Sequence, residues 1–204
     1  MNVTSDETER PSKMKALFKS IVRAFRKNRT LTALDLAGNH LFQNSCHPLN
    51  EHLTNYLIDF TDSLVKTNIR RINLKDNNLV GTGRKNKGLA YLVKHFVTTR
   101  AIGLTLSSNC LYSPSFVIIS TALHAKSTLT HLDLSDNRGG LNPNGIGSSE
   151  GIYALMRTIN TSTVLAHLIL SRNCLRDDDV VIIADTVAIM PRIRTLGLAG
   201  GYIV

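Results

Sequence analysis

The chain has 204 residues, 43% of them hydrophobic and 5% aromatic, with no Trp, so its core must be built from Leu, Ile and Val. The formal charge of +9 is uneven: residues 10–30 carry eight basic side chains and no acid, while the remainder is nearly balanced. The acids Asp6, Glu7 and Glu9 fit neither a secretory signal nor a mitochondrial presequence, and the longest apolar run, 180–190, is too short for a bilayer and is broken by Asp185.

Residues 1–11 are polar and expected to be disordered; a single domain is expected over 12–204. Met14, Leu17, Phe18, Ile21, Val22 and Phe25 recur at helical spacing and predict a helix over 12–27. Lys13, Lys15, Lys19, Arg23 and Arg26 fall on its outer side, where an anionic surface could be met.

From there one phrase repeats. Leu31-x-x-Leu34-x-Leu36-x-x-Asn39-x-Leu41 returns, with substitutions, starting at Ile69, Ala101, Leu129, Leu165 and Ile193. The spacings are 38, 32, 28, 36 and 28, a unit of 28 residues with insertions in three intervals. Strands are expected near 32–36, 70–74, 102–106, 130–134, 166–170 and 194–198, with their fourth and sixth phrase positions pointing inward. Helices are expected between them. They lie over 51–65 and 88–97, then after Ser113-Pro114, after Ser148 or Ser149, and from Asp177, Asp178 and Asp179 until Pro191 stops the run. The pattern predicts an α/β solenoid of six repeats.

Asn39, Asn77, Asn109, Asn137 and Asn173 recur where the backbone leaves each strand. A buried carboxamide there can donate and accept, satisfying turn groups above and below it. Gly201 replaces the sixth Asn. Cys110 and Cys174 share a repeat position two units apart, roughly 10 Å by strand spacing, too far to bridge. Reduced thiols imply a cytoplasmic setting, in the cytosol or on the cytoskeleton.

Leu-Thr-Ala-Leu-Asp-Leu-Ala-Gly-Asn (31–39) and Leu-Thr-His-Leu-Asp-Leu-Ser-Asp-Asn (129–137) resemble the ribonuclease-inhibitor class of leucine-rich repeats, as does the lead-in at 27–30. The resemblance extends over roughly 12–204. It implies a curved solenoid with parallel strands on the concave face and helices on the convex one. The class includes ribonuclease inhibitor, NOD-like receptors, Ran GTPase-activating protein, tropomodulin and CARMIL. It therefore implies a non-enzymatic protein-interaction scaffold or adaptor, with regulation of a small GTPase or of the cytoskeleton as the alternatives.

The candidate contact residues are Arg70, Arg71, Asn73, Lys75, His131, Asp133, His167 and Arg172, on or beside the expected concave face. The partner is expected to be another protein. With no interleaved aromatics, nucleic acid is disfavoured. His131, His167 and Asp133 approach a zinc set but lack a third firm ligand, so no metal is expected. The stretch 81–88 is Gly- and Lys-rich, yet Asn86 stands where a dinucleotide fingerprint needs Gly, and it reads as a lengthened loop. An insertion bearing Gly139, Gly140, Gly145 and Gly147 marks a second contact edge. No catalytic constellation and no cofactor motif is present, and the open end at 200–204 suggests a longer array or a docked partner.

Overall fold

A computed structural model describes residues 16, 19–25, 27–41, 51–79, 86–97, 101–123, 128–162 and 164–200. Residues 19–25 are helical (α1). Six strands follow: β1 Ala33–Asp35, β2 Arg71–Asn73, β3 Gly103–Thr105, β4 His131–Asp133, β5 His167–Ile169 and β6 Thr195–Gly197. Between them lie α2 Glu51–Val65, α3 Lys87–Leu92, α4 Ser113–Leu123, α5 Glu150–Ile159 and α6 Asp177–Ala188. Each strand is three residues long, shorter than the five-residue stretches of the phrase, although backbone bonds between repeats continue on both sides, from Arg70 N to Thr32 O before it and from Leu36 N to Asn73 O after it. A π-turn, Val93–Val97, extends α3.

The strands form one parallel sheet in sequence order, β1 to β6. Their register aligns the repeats: Ala33, Arg71, Gly103, His131, His167 and Thr195 form one row across the sheet. Asp35, Asn73, Thr105, Asp133, Ile169 and Gly197 form the next. Sheet and helices make two layers with the leucines between them. Leu74, Leu104, Leu106, Leu132, Leu134, Leu168 and Leu170 are buried there against Phe60, Phe96 and Phe116. A parallel sheet needs cover for its inner face, and the consecutive helices supply it.

The asparagines run as a directional ladder. Asn109 accepts from the Asn77 and Leu79 amides of the preceding turn, at 3.0 and 3.1 Å. Its amide nitrogen donates to Leu74 O behind it (2.8 Å) and to Leu106 O and Ser107 O in its own turn. Asn137 repeats the pattern on Asn109 N, Leu111 N and Leu106 O. Each side chain thus serves its own turn and the one before it, not the ones above and below alike. Asn77, Asn109, Asn137 and Asn173 are buried, but Asn39, with no turn behind it among the described residues, is exposed and bonds only Leu36 O and Ala37 O.

The residues before each Asn, Asp76, Ser108, Asp136 and Arg172, take φ of 51 to 55°, in the left-handed region. Asn78, Cys110 and Cys174, just after it, do the same. Arg138 breaks the series because the insertion 138–148 starts there, pairing Arg138 with Tyr112 and Leu141 with Gly147. Gly140 lets the insertion touch the next turn: a Cβ there would lie 2.1 Å from Cys174 O. At Gly151 a Cβ would lie 2.4 Å from Ser113 O, so α5 packs directly on the backbone of α4.

Candidate protein-binding face

The outward side of the sheet is largely smooth. Gly103, Ser107, Ser135 and Gly197 keep long side chains off it, and Arg71 and the His131–His167 pair stand on it. Arg71 occupies the lane left by Gly103, where a Cβ would meet Arg71 Cγ at 3.2 Å. The two imidazoles stack, centroids 4.0 Å apart at an interplanar angle of 17°. Each Nδ1 is tied to a hydroxyl, His131 to Thr130 at 2.7 Å and His167 to Thr195 at 3.0 Å.

Desolvation, and then the nearby His167 and Arg71, hold the His131 pKa below its ordinary 6.5. Flat stacking points the ring nitrogens past one another rather than at a common centre. Among the described residues no three His, Cys, Asp or Glu side chains are placed to hold a metal ion.

The sequence-derived set divides on this surface. Arg71, His131 and His167 share a row, and Asn73 and Asp133 lie in the next. Both of the latter are partly engaged: Asn73 donates to Asp35 at 3.1 Å, and Asp133 accepts from the Ser135 amide (2.9 Å) and hydroxyl (2.7 Å). Lys75 is exposed one step further along. Arg70 is exposed just before β2.

Arg172 is exposed and lies outside those two strand rows. It sits at the turn beyond β5 and forms a bidentate pair with Asp136, Nη2 donating at 2.7 Å and Nε also in contact. That pair lowers the Asp136 pKa and raises that of Arg172. Of the basic helix, Lys19 and Arg23 are exposed, while Lys13, Lys15 and Arg26 lie outside the described residues, as do 81–85. Asn86 caps α3, accepting from Leu89 N at 2.9 Å and donating to Leu79 O at 3.0 Å. The insertion is held by its own turns, with Asn142 Oδ1 accepting from the Asn144 and Ile146 amides, and it leaves Ile146 exposed.

The Leucine Rich repeat profile matches residues 27–45 and 125–156. The chain is a leucine-rich-repeat protein. Its fold is similar to a Caenorhabditis elegans tropomodulin C-terminal domain at TM-score 0.57 and 10% identity, covering 84% of this chain and 92% of that one. It also aligns with leiomodin-1 actin-binding site 2 at TM-score 0.47 and 15% identity, covering 89% and 78%. No curated protein matches it in sequence. Among the described residues of this leucine-rich-repeat protein, no helix is long and apolar enough to cross a membrane.

Sequence reading missed Arg192 and Arg194, both exposed at the start of the last repeat. The signal was available in the repeat alignment, where Arg194 matches Arg70. It also missed Gly103 as the residue that seats Arg71, which depends on strand register.

Proposed function

We propose that this protein is a non-enzymatic scaffold that binds another protein across its strand-lined face, in a cytoplasmic setting. The observation that carries this reading is the in-register row of Arg71, Gly103, His131 and His167. It is an extended, mostly smooth surface with a few projecting side chains, suited to a broad partner and not to an enclosed substrate. Regulation of a small GTPase or of the cytoskeleton are narrower versions of the same activity on the same fold.

A charge-neutral steric block tests it. Thr105→Trp with Ile169→Trp fills the middle of the face, while Tyr153→Ala alters an exposed position on α5. Quantitative affinity capture should lose specific partners with the first variant and keep them with the second. An unchanged partner set with the blocked face would reject this surface.

A further inference from the structure

We propose that the rim formed where the strands begin binds an acidic, extended polypeptide segment; this rests on the scaffold reading and specifies its partner. The repeats bring together the described parts of six lead-ins: 27–33, 65–71, 97 with 101–103, 128–131, 161–162 with 164–167, and 189–195. They hold seven Lys or Arg residues and no Asp or Glu, in a chain with 15 acids.

The backbone makes this rim continuous. Arg70 N donates to Thr32 O (2.8 Å), Ile102 N to Arg70 O (2.8 Å) and Thr130 N to Ile102 O (3.0 Å). Ala166 N then donates to Thr130 O (2.9 Å) and Arg194 N to Ala166 O (2.7 Å). Six strands at about 4.8 Å give a row of roughly 24 Å, the span of about seven extended residues.

Cations placed after a helix also offset its dipole, and that accounts for part of the pattern. Lys66 directly follows α2, and Arg29 Nη1 donates to the Lys66 carbonyl at 3.2 Å. It does not account for Arg70, Arg71, Arg192 and Arg194, which lie beyond the helix ends, at or beside the strand starts. All four are exposed, and none pairs with a described carboxylate.

The opposite side of the face is mixed but holds more acids than bases, with Lys75 exposed there and Arg172 paired to Asp136. Asp35 and Asp133 lie two residues along the strands, roughly 7 Å from the basic row, and Asp76 and Asp136 follow at the turns. A narrow ligand with carboxylates on one side fits this division. An extended peptide presents alternate side chains to one side, whereas a phosphodiester carries charge at every unit and would lay some of it against Asp35 and Asp133.

The test is fluorescence anisotropy with a labelled peptide of four Glu-Ser repeats. It compares the intact protein, the rim variant Arg71→Glu/Arg194→Glu, and the variant Lys87→Glu/Arg157→Glu, which makes the same charge change at exposed helix positions. Thermal melts of all three confirm that they are folded. The rim variant should weaken binding about tenfold or more, and the helix variant less than about twofold.

Equal losses would mean a response to net charge alone and would overturn the proposal. So would no peptide binding, or tighter rim-dependent binding of an eight-nucleotide RNA or of phosphatidylserine vesicles. The scaffold reading fails separately, when the Thr105→Trp/Ile169→Trp block leaves partner capture intact.

Discussion

The middle of the array and its ends contain the same residues in different circumstances. In β4 and its turn, Leu132 and Leu134 are buried and Asn137 is locked between two turns. In β1, Leu34 and Leu36 are only half-buried and Asn39 is exposed; at β6, Leu196 and Leu198 are again half-buried. The phrase is nearly constant, so the difference comes from the neighbours. A repeat in this fold does not bury itself; each is completed by those beside it.

Paired substitutions should expose that contrast. Asn109→Ala strands several buried backbone groups and should cost about 4 kcal/mol, against less than about 1 kcal/mol for Asn39→Ala, measured by urea unfolding. Equal costs would mean that the ladder is not what separates middle from end. Leu132→Ala should cost about 3 kcal/mol and Leu34→Ala about 1, since only the first leaves a closed cavity.

Gly140→Ala drives a methyl group into the Cys174 carbonyl and should cost about 2–3 kcal/mol. Gly145→Ala meets nothing within 4 Å and should cost about 1, through its φ of +77°. The smallest effect is one of pH. With His131 held below 6.5 in the folded state, the unfolded chain takes up its proton first. Stability should therefore fall as pH is lowered from about 6.5 through the folded value. His131→Gln should flatten that slope in melts taken across the range, and an unchanged slope would assign it elsewhere.

Repetition made the architecture legible before any coordinates. A position such as Leu104 or Asn109 can be compared with its counterparts in the other units, and only a stacked sheet explains why the same types return. What repetition conceals is how one unit differs from the next. Asn39 has the right letter but, among the described residues, no turn behind it to fill. Arg172 reads as a member of the contact patch; its pairing with Asp136 at the preceding turn, from a left-handed backbone, is not visible in the repeat phrase. Arg71 over Gly103 depends on register, which no single repeat reveals. Charge read along the chain highlights residues 10–30; read down the repeat columns it highlights Arg70, Arg71 and Arg194.

The direction of the asparagine ladder has a consequence for biosynthesis. Each of the first four turns is completed by hydrogen bonds to the Asn of the following unit. A ribosome delivering the chain from its N-terminus therefore leaves the newest of these loops incomplete, and native structure advances one unit behind the exit tunnel.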